Sequence, residues 1–255
     1  MHAAHKMLFT VAALPGAAAF LGAALLFPTP SAAQSALPVG TLLPVSLDHG
    51  LNAEKLHSGQ TIHARIMQSI PGTDVHRGAQ VVGRVVRVST QPNGPATLEL
   101  RFDAVESHHR RIPVRTDLRA VASPLEVEFA QIPEEMSSRG LTPETWDTQQ
   151  IGGDQVYRGG GPVAEYNKPV GKPVAYGVEA TPHPQAGTPC RGEISGNTRP
   201  QALWLFSANA CGVYGFPNLR IEHAGRTHGG AIVLTGQTGK LNLGGGSALL
   251  LRVQN

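Results

Sequence analysis

The chain has 255 residues, room for one large domain or two small ones. Hydrophobic residues make up 41% and charged residues 15%, so the chain can bury a core and does not have the composition of a disordered acidic or basic protein. The formal net charge is only +3, and its arginines are scattered rather than gathered on one element, which argues against nucleic acid as a partner.

The first residues read as an address. Lys6 supplies a positive charge, an apolar run follows from Met7 to Phe27, and PTPSAAQ closes it. Ser31 and Ala33 are small residues at the −3 and −1 positions of a cleavage site, with Gln34 as the new N-terminus. The run approaches a bilayer span in length. Its Ala/Gly-rich composition and cleavage-like end favour a removed signal peptide over residues 1–33. Past Gln34 no apolar run is long enough to cross a membrane, so the mature chain is expected to lack a membrane span.

From Leu37 the pattern is β. Thr41 to Leu47 is a strand candidate, with Pro44 marking an edge or a bulge. Thr61 to Ile70 alternates, placing Ile62, Ala64, Ile66 and Gln68 on one face. Pro71-Gly72 ends it. Ala79 to Ser89 is valine-rich, with Val81, Gly83, Val85 and Arg87 sharing a face. Gln91 to Pro95 is a turn. Thr97 to Val105 returns with Leu98, Leu100, Phe102 and Ala104 in period two. His108-His109 beside Arg110-Arg111 reads as a solvated, charged turn, and Arg111 to Val121 is the last strand, with Pro113 near its start. Successive hairpins of this kind predict a small β-barrel over 38–122.

The Gly40 to Val88 block resembles an element of exported bacterial β-rich proteins of uncharacterised function. It is also distantly similar to the periplasmic β-barrel of TrbI-type conjugation-channel proteins. The carrying residues are Gly40-Thr41, Leu43-Pro44-Val45, Leu47-Asp48, Gly59, Ala64, Gly78 and Val82-Gly83-x-Val85. Those families show Ile-Pro-x-Gly-Ser before the last strand, where this chain has Val75-His76-Arg77-Gly78-Ala79. The resemblance implies a scaffold in the cell envelope and carries no activity.

Residues 123–189 are rich in Pro and Gly with weak helical periodicity, and they predict irregular structure lying on the core. From 190 to 255 short strands resume: Ala202–Ser207, Cys211–Phe216, Leu219–Gly225, Ala231–Gly236, Lys240–Gly245 and Ala248–Val253. Ser207 to Ala210 is expected to join the first two as a tight hairpin. Trp204 with Phe206, and Tyr214 with Phe216, share strand parity and read as core pairs or as an aromatic sugar-binding face. Ala248–Val253 is apolar on both faces, which predicts a central place in a sheet. The expected fold is therefore all-β: a small barrel, an irregular Pro/Gly-rich segment and a second β-rich region. In an exported chain the two cysteines, Cys190 and Cys211, read as a disulfide. Closing that loop is worth about 3 kcal/mol.

Candidate chemistry is sparse. Glu222, His223 and His228 could hold a metal or move a proton if the fold converged them, but their spacing fits no helical face and no HExxH occurs. Tyr157 and Arg158, in a glycine-rich stretch, complete a candidate ligand surface. Ser195 lacks the flanking glycines of a nucleophile elbow, and the glycines around Asp154 lack the GK[ST] of a phosphate loop. No catalytic set, cofactor site or metal site emerges. The expectation is an exported, non-enzymatic envelope protein, structural or interaction-bearing, periplasmic or extracellular, with an envelope protein partner. A glycan- or small-ligand-binding module and a hydrolase with a site built from distant residues are the alternatives.

Overall fold

The computed structural model describes residues 36–131, 147–152, 155–157, 163–165, 168–174, 177–180, 201–202, 205–207, 210–222, 230–237 and 240–254. The all-β expectation holds: eighteen strands and one short helix are present among them. The strands are β1 (Leu42–Leu47), β2 (Leu51–Asn52), β3 (Thr61–Ile66), β4 (Gln80–Ser89), β5 (Ala96–Ser107), β6 (Arg110–Pro113) and β7 (Thr116–Ala122). Helix α1 (Pro124–Gln131) follows. Then come β8 (Asp147–Gln149), β9 (Gln155–Tyr157), β10 (Val163–Glu165), β11 (Lys168–Val174), β12 (Gly177–Ala180), β13 (Gln201–Ala202), β14 (Gly212–Tyr214), β15 (Leu219–Glu222), β16 (Ile232–Gly236), β17 (Asn242–Leu243) and β18 (Ala248–Val253).

The main sheet is mixed and runs β14-β7-β18-β1-β3-β4-β5-β16-β15, with β6 on the flank of β5. The expected barrel of 38–122 does not close on its own strands. The C-terminal strand β18 lies between β1 and β7, antiparallel to both, and β16 adds to β5. β14, β15, β16 and β18 therefore share one sheet with strands of residues 42–122, while β17 pairs with β2 in a separate two-stranded sheet. Nor does a closed barrel form among the described residues, since the strand path is open and ends at β14 and β15. The segment expected as one strand from Arg111 to Val121 splits at Val114-Arg115: β6 pairs with β5, and β7 pairs with β18. Pro113, with no N–H to give, ends β6. The Val114 N–H then turns to Asp103 O and the Arg115 O to the Gln254 N–H.

Two apolar cores explain this order. Leu43, Val45, Leu47, Leu118, Leu249 and Leu251 point into the sheet's concave core with Ile62, Ile66, Val81, Leu98, Leu100 and Phe102. Leu42, Ala120, Ala122, Ala248 and Leu250 face the other way, onto a second core completed by Val127, Ile151, Leu205 and Phe206. β18, β1 and β7 are thus buried on both sides, which is why ALLLRV carries no polar face. Pro44 is accordingly not at an edge. Its carbonyl accepts from the Met67 N–H, and the one bond forfeited is the reciprocal one, one step beyond the Val45–Ile66 rung that ends the β1–β3 ladder.

Parity breaks where bulges intervene. In β4, Val81, Gly83 and Val85 are buried as expected, but a register shift between Val85 and Arg87 turns Arg87 outward and brings Val88 against the core. Gly83 sits at a second shift, with the Arg101 carbonyl and the Phe102 ring against its Cα, leaving no room for a Cβ.

Part of the stretch expected to be irregular is regular. Ser123 caps α1: its Oγ accepts from the Glu126 N–H at 3.3 Å and its carbonyl from the Val127 N–H at 3.1 Å. Ser123-Pro124-Leu125-Glu126 has the Ser-x-x-Glu pattern of a capping box with Pro at the first helical position. The backbone of β8 to β13 forms an antiparallel sheet in the order β13-β12-β11-β10-β9-β8. The expected hairpin across Ser207–Ala210 is absent: β13 belongs to that sheet, whereas β14 runs parallel to β7. Residues 34–255 make one compact unit. Among the described residues no helix is long and apolar enough to cross a membrane.

Candidate functional site

A surface depression lies where the β3–β4 connection meets the β5–β6 turn. Its volume is about 390 Å³, and His76, Arg77, Gln80, Glu106, Ser107 and His108 line it. The connection is stitched internally. The Ile70 N–H donates to Val75 O, Thr73 Oγ1 donates to Ile70 O at 2.9 Å, and the Val75 N–H donates to Thr73 Oγ1 at 3.1 Å. Val75 is driven fully into the core, so its neighbour His76 is left on the surface.

Two contacts clasp this connection to the β5–β6 turn. Ser107 Oγ donates to Asp74 O at 2.6 Å, and Arg110 Nη1 pairs with Asp74 Oδ2 at 2.6 Å. Arg111 pairs with Glu106 on the far side of the turn. Both ion pairs are exposed, so each contributes little to stability; their effect here is to occupy two of the arginines. His108 stands at the corner of the turn with φ +53°, the one non-glycine in the left-handed region among the described residues. His is among the side chains tolerated there, at a cost of roughly 1–2 kcal/mol. The result is a pair of imidazoles edge to face, with centroids 5.3 Å apart and planes at 73°.

A second polar cluster is buried. Arg119 occupies the bulge of β7 where the pairing jumps from Leu250–Ala120 to Leu251–Leu118, and it is 1% exposed. Burial, then the neighbouring Arg252, lowers its pKa to about 10, against the opposing pull of Tyr214 and Asp117. It therefore stays charged at neutral pH. Asp117 Oδ2 accepts from Gln254 Nε2 at 2.7 Å. Burial raises the pKa of Tyr214, offset in part by its bond to Cys211 and by Arg119. Its hydroxyl donates to Cys211 O at 3.0 Å and accepts from the Cys211 N–H at 3.1 Å. Asp117 and Arg119 are closed off from solvent, while Tyr214 and Gln254 stay half-buried at the edge of the cluster.

The residues expected to form a ligand surface are not brought together among the described residues. Glu222, on β15, accepts from Thr235 Oγ1 at 2.9 Å across the β15–β16 ladder. Tyr157 lies on β9, opposite Ala164. Arg158, His223 and His228 fall outside the described residues, as do Cys190, Ser195 and Asp154. Cys211 is not a free thiol. The expected aromatic pairing of Tyr214 with Phe216 does not form: Gly215, at φ +70°, breaks the parity, so Tyr214 packs on the outer core and Phe216 on the concave one. Phe206 is fully buried. The residues that do converge, His76 and His108, lie in two turns, where periodicity carries no signal; the only sequence cue was the density of His and Arg at 108–111.

Comparison with known proteins adds no relative: no family model, no curated protein and no solved structure matches the chain.

Proposed function

We propose that the chain is an exported cell-envelope protein that acts by holding a protein partner. The observation that carries this reading is the outward face of α1. The helix buries Val127 and Ala130 against the outer core. On the opposite side it exposes Leu125 (56%) and Phe129 (59%), one turn apart. A helix apolar on both faces is built for contact on both, and the outer contact is open. Glu128 and the half-buried Glu126 lie between the two faces, which suits a partner whose apolar groove is rimmed by basic side chains.

Export is supported by the leader-like sequence of residues 1–33, with Lys6, the apolar run Met7–Phe27 and the small residues Ser31 and Ala33. The likeness of Gly40–Val88 to the TrbI-type periplasmic barrel fits the same compartment. The Cys190–Cys211 bridge belongs to this proposal, since such a bond persists in an oxidising compartment. That Cys211 is not free agrees with it.

The test places a photo-crosslinking amino acid at Leu125, at Phe129 and, as a control, at Val39, in the full chain expressed in its host. A single discrete adduct from 125 and 129, absent at 39 and lost in the doubly substituted Leu125→Asp, Phe129→Asp protein, supports the reading. No adduct from α1 overturns the partner. A mature N-terminus at Met1 in the cytosolic fraction overturns export. Two alkylatable thiols in unreduced, denatured protein overturn the bridge.

A further inference from the structure

We infer that Asn93, at the tip of the β4–β5 hairpin, is a site of spontaneous covalent modification, in which its side-chain amide becomes a carboxylate by way of a cyclic imide. The reaction needs a backbone nitrogen next to the asparagine with no bulk beside it, a segment loose enough to close the ring, and water to open it again. The hairpin tip meets each need.

The unshielded nitrogen is that of Gly94. Asn93-Gly94 is the one Asn-Gly step in the sequence. Without a Cβ, glycine leaves its nitrogen open and its backbone the least restricted of any residue. The fold keeps a glycine here for a reason of its own. A Cβ at 94 would stand 2.5 Å from Gln91 Oε1 and 3.0 Å from Gln91 Cβ, so the Gln91 side chain already fills that space.

Placement supplies the looseness and the water. β3 accompanies β4 only as far as Arg84, whereas β4 and β5 stay paired out to Ser89–Thr97. The turn of residues 90–95 lies past that last rung, with Gln91, Pro92, Asn93 and Pro95 exposed. The Gly94 N–H donates to Gln91 O at 3.2 Å, the long end of the range for such a bond. Giving up one neutral hydrogen bond slows a step by no more than about tenfold. Asn52 is the contrast. Its Oδ1 accepts from the Glu54 N–H at 2.9 Å. The nitrogen that follows it, on Ala53, carries a buried Cβ beside it and is held by Leu241 O at 2.9 Å.

The bonds balance with water as the sole co-reactant. The Gly94 nitrogen attacks Asn93 Cγ. The new N–C bond closes the ring, the bond from Cγ to the side-chain nitrogen breaks, and the Gly94 proton leaves with that nitrogen as ammonia. Water then opens the ring at either carbonyl. Opening at Cγ gives Asp, and opening at the main-chain carbonyl gives isoaspartate, which carries one extra backbone carbon. Either product lowers the formal net charge from +3 to +2. Because the change falls outside every ladder, the strands keep their register.

The test incubates the full chain, folded and in parallel unfolded in urea, in mildly alkaline buffer, and follows the tryptic peptide Val88–Arg101 by mass spectrometry against a zero-time digest. Asn93 is the one asparagine in that peptide. The expected result is the mass gain of an amide-to-acid exchange in two separable forms, Asp and isoaspartate. The folded chain should convert within about tenfold of the unfolded rate. The rate should rise with pH, since the attacking amide must lose its proton, and Asn93→Ser should abolish the gain. A urea midpoint unchanged in the converted protein supports the placement of the tip. Conversion in the unfolded chain alone, Asp with no isoaspartate, or Asn52 converting as fast as Asn93 overturns the proposal.

Discussion

Replacing Leu249 or Leu250 by Ala tests whether the C-terminal strand is the keystone of the sheet. The two residues are adjacent on β18 and fully buried, but they serve different cores: Leu249 the concave one and Leu250 the outer one. Each is walled by β1 on one side and β7 on the other, so the surroundings have little freedom to collapse. Removing a buried leucine side chain loses its transfer energy and leaves a cavity, together about 2.7–5.0 kcal/mol in a well-packed core. For a unit of this size 1 kcal/mol moves the melting temperature by about 2–4 °C, so each substitution should lower it by roughly 5–20 °C. Scanning calorimetry with urea unfolding followed by circular dichroism reads both numbers. The decisive observation is the number of transitions. If residues 42–122 and the C-terminal strands are one sheet, a single transition shifts as a whole in both variants. Two transitions, with only the smaller one moved, or a loss below about 1 kcal/mol in both variants, would refute the order β7-β18-β1.

Three further outcomes follow from single residues. Gly83→Ala places a Cβ against the Arg101 carbonyl and 2.8 Å from Phe102 Cδ1; since neither backbone nor ring can yield cheaply, it should destabilise by about 1–3 kcal/mol, and a urea midpoint equal to wild type would show that β4 is not bulged there. Ser123→Ala removes the helix cap and should cost about 0.5–2 kcal/mol, with Ser123→Asp restoring most of it in the same denaturation assay. Tyr214 favours its neutral form when folded, so its contribution to stability is complete below pH 10 and is lost as pH rises through its raised folded pKa; among four tyrosines, an absorbance titration should find one that ionises last in the folded protein, and Tyr214→Phe should remove that late step.

Local pattern was legible where one strand meets one core. Leu98, Leu100, Phe102 and Ala104 alternate because β5 runs twelve residues with one face inward, and their period could be read directly. The two-faced apolarity of Ala248–Val253 likewise announced a central strand. What could not be read was which strands it would join, because the register of a strand depends on partners two hundred residues away, not on its own pattern. β4 failed midway for a different reason: one extra residue at Val86 swaps the sides of everything after it, and nothing in a run of valines and arginines marks the slip. Helix α1 was written in Ser123-Pro124-Leu125-Glu126 and hidden by its exposed Leu125 and Phe129, which blur the helical period. The imidazole pair was unreadable for a simpler cause: His76 and His108 are neighbours only because Ser107 and Arg110 tie two turns together through Asp74.

The position of β18 has a kinetic meaning. A ribosome delivers this chain N-terminus first, and β1 must wait for Arg252 and Leu251 before its second edge is covered. Until β18 appears, β1 and β7 present bare, apolar edges of the sort that pair with any strand they meet. Contacts between segments this far apart in sequence also form slowly. The main sheet therefore cannot be completed until β18 has been synthesised, however early β1 and β7 emerge.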